Sequence, residues 1–279
     1  MSITKKLKND CFALPQGVDW TPLDEALLHL ENSLTPIVET EVLPIDLAVG
    51  RILTTDLQAA SDSPPFSNSA VDGYAFRFAD VCEKYLELKK GRAAAGHPFS
   101  HAIAKGQALR IFTGAVLPAG ADTVVLQEDV QVEGNKIYFG NSLNPGANTR
   151  TAGEDIKRGQ IIAFKRDHVT AFMAASAISS GIKRAEVYRK LKVGVFSTGD
   201  ELIDFEQPLK FGSVFDINSP MLASLLTAWG YEVLELGKIP DNLEVLRDKL
   251  NKASETFDVL ITSGGASAGD EDHLASILN

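Results

Sequence analysis

Apolar positions recur along this 279-residue chain in three rhythms, and each predicts a different kind of structure. Leu23, Ala26, Leu27 and Leu30 fall on one helical face. Thr21 precedes them as a cap, Pro22 suits a first helical position and Asp24 and Glu25 occupy the first turn, so a helix is expected over 22–33. From about 41 to 144 the pattern breaks into short apolar runs, at 42–45, 109–112, 123–126 and 136–139. Gly, Pro and Asn turns separate them, which is the texture of a β-rich domain. After a polar stretch over 150–159, a helix is expected over 167–180, closed by Gly181 as a left-handed cap.

The last third alternates regularly. Strands are expected over 192–197, 231–236 and 257–262. One intervening helix covers 218–229, capped by Asn218 or Ser219 and stopped by Gly230. The other covers 243–255, after the turn Pro240-Asp241-Asn242. Strands alternating with helices imply a parallel sheet with right-handed crossovers.

Composition narrows the classes. With 44% hydrophobic and 23% charged residues the chain has the profile of a globular protein. Its most apolar run, 169–178, is broken by Thr170 and Ser176 and is too short to span a membrane. Lys5, Lys6 and Lys8 near the start are not followed by an apolar signal segment, so a cytoplasmic location is expected. Cys11 and Cys82 stand alone and read as reduced thiols. A formal charge of -10 argues against a nucleic-acid surface. His97 and His101 have a metal-ligand spacing, but Gly96 and Pro98 deny them a helix, and they read as loop residues.

Two expected strand ends carry unusual loops. One is Ser197-Thr198-Gly199-Asp200-Glu201; the other runs from Thr262 through Ser263, Gly264, Gly265, Ala266, Ser267, Ala268 and Gly269 to Asp270, Glu271 and Asp272. In an open parallel sheet ligands gather beyond the carboxyl ends of the strands. Glycines among hydroxyl residues let main-chain amides approach an anion, while the acids behind them would repel a phosphate unless a divalent cation lay between. Mg²⁺ beside a phosphorylated ligand is therefore expected. Taken alone, Ser263-Gly264-Gly265 serves a plain turn as well as a phosphate; its place beside a second acidic strand end favours the ligand. In the β-rich part, Asp72-Gly73 read from turn chemistry alone is a hairpin turn.

The segment Pro64-Pro65-Phe66-Ser67-Asn68-Ser69-Ala70-Val71-Asp72-Gly73-Tyr74-Ala75 is followed in order by six further motifs. These are Ile111-Phe112-Thr113-Gly114-Ala115, Leu117-Pro118-Ala119-Gly120-Ala121-Asp122, Gln127-Glu128-Asp129, Asn148-Thr149-Arg150 with Gly153-Glu154-Asp155, Phe196 to Leu202, and Asp216-Ile217-Asn218-Ser219 before the Ser263 loop. Together they resemble the MoeA family, which includes the E domain of gephyrin, collinearly from about Leu23 to Asp272.

The resemblance implies an α/β plus β-rich, MoeA-like multidomain fold. Residues 1–46 and 146–186 would form a discontinuous helical and linker domain, 47–145 an inserted β-rich domain, and 187–279 an incomplete parallel α/β molybdopterin-binding domain of the MoaB/Mog type. It also implies a transferase of molybdenum cofactor biosynthesis, which inserts molybdate into adenylated molybdopterin with Mg²⁺ and releases AMP. By similarity the catalytic residues are Asp72, Thr113, Asp155, Glu201, Asp241 and Asp272. Glu201, Asp241 and Asp272 would serve the metal or adenylate, with Asp72 and Asp155 nearer the molybdate. Ser197, Thr198, Gly199, Ser263, Gly264, Gly265, Ser267 and Gly269 would hold the pterin. A homodimer with its cleft between subunits is implied, as is an encounter with the molybdopterin adenylyltransferase.

Ser67, Val71, Ala266 and Ala268 depart from the family's usual Asp, Met, Val and Val. The family's further α/β strands, lysine loop and fourth domain are not found after Asn279, which leaves a non-catalytic pterin-binding or scaffold role as the alternative. Another phosphoryl-transfer enzyme sharing only the α/β module would leave the first half unexplained.

Overall fold

The computed structural model describes residues 21–140 and 142–264, together with Leu274 and Ile277. Residues up to Val38 form one unit and Glu39 onward a second. The first contains helix α1 (Leu23–Ser33), entered from Pro22 with no side-chain cap, so the expected Thr21 cap is not formed. Its acids Asp24 and Glu25 lie in the first turn, where they suit the helix dipole. Leu23, Leu27 and Leu30, from the expected apolar face, are all exposed.

The second unit begins with β1 (Thr40–Pro44), β2 (Leu57–Gln58), β3 (Asn68–Ser69), β4 (Gly73–Phe76), β5 (Leu86–Ala93), β6 (Gln107–Ile111) and β7 (Thr123–Leu126). It continues with β8 (Gln131–Glu133), β9 (Lys136–Tyr138), β10 (Thr149–Arg150), β11 (Ile161–Ala163), α2 (Ala171–Ser179) and β12 (Arg184–Tyr188). The α/β part comprises β13 (Lys192–Thr198), β14 (Leu202–Ile203), β15 (Val214–Phe215), α3 (Asn218–Ala228), β16 (Glu232–Ile239), α4 (Leu243–Ser254) and β17 (Val259–Ser263).

Segments far apart in sequence build the layer around β1, which pairs antiparallel with β12 from Thr40↔Tyr188 to Pro44↔Arg184. Ile45, Leu53 and Leu57 share a core with Val169, Ala174, Ala177 and Val187. Helix α2 is shorter than the sequence suggested because Thr170 Oγ1 caps it, accepting from Met173 N at 3.1 Å. It ends as expected at Gly181, whose φ is +83°.

The β-rich part is a six-stranded sheet in the order β7-β4-β6-β5-β9-β8, with β5 and β6 parallel. Alternate residues enter separate cores: Ala75, Leu109 and Val124 on one face, Phe76, Ala108 and Val125 on the other. Here Asp72-Gly73 is not a hairpin turn, since β3 pairs with β10 rather than with β4. Glycine is required for another reason. A Cβ on Gly73 would lie 2.0 Å from the Val125 carbonyl oxygen of the neighbouring strand.

In the α/β part, β13 lies between β16 and β17, parallel to both. Its even and odd positions face opposite helices: Val193 and Val195 pack with Leu226 of α3, and Phe196 with Leu246 of α4. Burial on both faces explains its near-continuous apolar run. Gly194 sits where Leu260 and Leu236 leave no room for a Cβ, at 2.8 and 2.9 Å. Helix α3 is capped two residues upstream of Asn218, the nearer expected cap, by Asp216 Oδ1, which accepts from the Asn218 and Ser219 amides at 3.1 Å each.

Candidate active site

The first group of site residues lies where β3 is stitched between two loops. Ser69 N donates to Ala115 O and Gly114 N to Ser69 O, while β3 pairs on its other side with Thr149 and Arg150. Ser67 Oγ accepts from Ala152 N at 3.1 Å, and Asp155 N donates to Ser63 O. The segments bearing Asp72, Thr113 and Asp155 are thereby held to one another through main-chain bonds.

Each of these carboxylates is already engaged. Asp72 Oδ1 accepts from both Thr113 N and Thr113 Oγ1 at 2.8 Å. The Thr113 amide and then its hydroxyl, with the charge of Arg110 assisting, hold the Asp72 carboxyl below its ordinary value. Asp155 takes both oxygens to Arg150 at 2.6 Å, and that bond raises the guanidinium further above its usual range.

Arg110 is the organiser of this corner that the sequence pattern did not single out. It donates to Gly73 O at 3.2 Å and to Gln127 Oε1, and its guanidinium lies 5.1 Å from the Tyr74 ring centre and 4.9 Å from that of Phe112. Gln127 in turn bonds Glu128 at 2.9 Å, which lowers the Glu128 carboxyl. Alternation in β6 places Arg110 on the face of Ala108, opposite Leu109 and Ile111, so its charge within an otherwise apolar run is the one sequence signal of a polar role.

The second group lies at the carboxyl ends of β13, β16 and β17. Ser197 of β13 is in register with Ser263 of β17 and with Lys238 of β16. Gly264 has φ +99°, and a Cβ there would meet Thr198 Oγ1 at 2.6 Å and Thr198 O at 2.8 Å. Two strand ends therefore touch through a residue without a side chain. The Glu201 carboxylate folds back over Gly199, within 2.6 Å of where a Cβ would stand. Asp241, after β16, accepts from Asp200 N at 3.2 Å. Asn218, the first residue of α3, donates to Ser263 Oγ at 2.8 Å.

A cavity of about 660 Å³ opens beside this group, its walls including Asp200, Glu201, Asp216, Ser219, Glu235 and Lys238. The hydroxyls of Ser197 and Ser219 are buried and unpaired among the described residues. Buried hydroxyls are normally hydrogen-bonded, so two orphans, one at the end of β13 and one in the first turn of α3, mark a place suited to a polar ligand.

Glu201 and Asp241 offer hard carboxylate oxygens of the type magnesium prefers. No group of three acidic, His or Cys side chains converges to hold a metal among the described residues. Gly265, Ser267, Gly269 and Asp272 lie outside the described residues. Within one chain no hydrogen bond or salt bridge among the described residues joins the Asp72 group to the Glu201 group.

This combination defines a class: a β-rich platform joined to a parallel module whose strand ends form a ligand site. A family profile described as "MoeA N-terminal region (domain I and II)" matches residues 21–181, and one described as "Probable molybdopterin binding domain" matches 194–279. The chain belongs to the MoeA family.

It is similar to the molybdopterin molybdenumtransferase of Haemophilus influenzae, at 36% identity over 92% of this chain and 64% of that one. The molybdopterin molybdenumtransferase of Nostoc sp. is 37% identical over 90% of this chain and 59% of its own length. A crystal structure of a molybdopterin biosynthesis MoeA protein from Pyrococcus horikoshii superposes with a TM-score of 0.78, at 34% identity over 88% of this chain and 67% of that one. The chain thus spans about three fifths of the length of these two curated relatives. No helix among the described residues is long and apolar enough to cross a membrane.

Proposed function

We propose that this chain carries the pterin-binding and acidic parts of a molybdopterin molybdenumtransferase, which inserts molybdate into adenylated molybdopterin and releases AMP. The observation that carries the reading is the meeting of three strand ends at Gly264, Thr198 and Asp241, beside two buried hydroxyls unpaired among the described residues, in a member of this family. Ser197, Thr198, Gly199, Ser263 and Gly264 bind the phosphate and pterin through main-chain amides and hydroxyls, joined by Gly265, Ser267 and Gly269. Glu201, Asp241 and Asp272 hold Mg²⁺, which when bound neutralises phosphate charge. Thr113 keeps Asp72 ionised and oriented, and Arg150 does the same for Asp155, so both present fixed negative charge towards donor groups around the molybdate.

The discontinuous division into 1–46 with 146–186, 47–145 and 187–279 belongs to the same reading, and the pairing of β1 with β12 supports it. So does a cytoplasmic homodimer that receives its substrate from a molybdopterin adenylyltransferase. An outward apolar stripe at four-residue spacing, Ile217, Met221, Leu225 and Trp229, supports a second copy as its cover. The test is AMP release from adenylated molybdopterin by the purified chain, expected to require both molybdate and Mg²⁺. Pterin binding without AMP release would replace catalysis by a binding role.

A further inference from the structure

Strand β16 contains an irregularity that moves a charge. Its register with β13 runs Val195↔Glu235 and then Phe196↔Gly237, so Leu236 is an extra residue, and Gly237 takes φ +73°. An inserted residue reverses the facing of everything beyond it. The packing records the reversal: Leu236 and Ile239, three apart, both join the Phe196 core, whereas unbroken alternation would put them on opposite faces. Lys238 is thereby delivered to the opposite face, in register with Ser197 and lining the cavity beside Glu201.

There its ammonium donates to Asp200 O at 2.8 Å and Leu202 O at 3.0 Å, the two carbonyls that flank Glu201. From the other side the Asp241 carboxylate holds Asp200 N. The carbonyl of Glu201 accepts from Val214 N at 2.9 Å. The Glu201 main chain is thus fixed from three directions while its own carboxylate accepts no hydrogen bond among the described residues.

We propose that Lys238 is a positioning residue, a strand-borne clamp that fixes the backbone on both sides of Glu201 so that the carboxylate is presented to a divalent cation. The cation follows from the function proposed above; the clamp stands on the hydrogen bonds alone. A charged donor gripping two carbonyls is among the stronger main-chain restraints.

Hydrogen exchange and Mn²⁺ titration by electron paramagnetic resonance, on the whole chain, test it. In Lys238→Met, amides of 200–203 and Val214 are expected to exchange about tenfold faster, with 192–197 unchanged, and Mn²⁺ affinity to fall about tenfold. Lys238→Arg, which keeps a charged donor, is expected to restore much of both. Unchanged loop exchange in Lys238→Met overturns the clamp. Faster exchange throughout β13 in both Lys238→Met and the shorter, uncharged but polar Lys238→Gln also overturns it, because Lys238 would then be supporting the sheet. If the unaltered chain holds no Mn²⁺, the cation reading of Glu201 fails while the exchange data still decide the clamp.

Discussion

In the β-rich corner the Asp72 carboxylate is satisfied by two donors from Thr113, and Asp155 is gripped by Arg150. At the strand ends of the α/β module the Glu201 carboxylate accepts nothing among the described residues, although its main chain is pinned by Lys238 and Val214. The contrast separates two uses of an acid. A carboxylate that has its hydrogen bonds is fixed negative charge that cannot easily turn to a new partner; one left unpaired on a rigid backbone is ready for a cation.

The two regions also differ in how their glycines are enforced. A Cβ at Gly73 would strike a main-chain carbonyl inside a paired strand, so Gly73→Ala must separate β4 from β7. Its cost is expected at about 3 kcal/mol, read from urea denaturation. Gly264→Ala meets Thr198 at a sheet end, where the loop can give, and is expected to cost about 1–2 kcal/mol. Equal costs would break the distinction between a rigid corner and a yielding strand end.

A smaller effect is expected from the acids themselves. Glu201→Gln should weaken Mn²⁺ binding about tenfold or more, while Asp72→Asn leaves it unaltered. The reverse order would exchange the roles assigned to the two regions. Thr113→Val removes one of the two donors to Asp72 and keeps the amide, so the Asp72 titration, followed by NMR, should move upward towards its ordinary value. No movement would mean that the hydroxyl contributes nothing.

The smallest effect concerns a carboxylate at the amino end of the parallel sheet, just before β17. Arg189 donates to both oxygens of Asp258 and, with the Lys192 amide, lowers its carboxyl to about 2. A depressed folded value stabilises above the unfolded value of 3.8 and is lost as pH falls through about 2. Asp258→Asn should therefore lower thermal stability modestly at neutral pH and flatten its decline between pH 4 and 2. A mutant curve parallel to that of the unaltered chain would show the pair to be idle.

The strongest sequence signal was periodicity, and it located what periodicity can see. The parallel module was legible because β13 is buried on both faces and its helices carry Gly230 and Asn242 at their ends. The shortening of α2 was not, since Thr170 competes as a cap inside an apolar run. Gly73 was misread because turn chemistry and close strand approach both demand glycine, and one sequence cannot tell them apart. Glu201 and Gly264 stood out by composition at a strand end. Lys238 did not, because a one-residue bulge sets its facing, and Arg110 did not, because its work is done by partners distant in sequence.

Arg189 occupies the short link between β12 and β13, where its amide donates to Glu39 O at 2.9 Å and its guanidinium to Asp258. Anyone transplanting the α/β module onto a different amino-terminal half would have to cut through this residue's bonds. A graft retaining Asp258 but lacking the arginine would leave a stranded anion at the seam, so the natural unit of exchange includes the link.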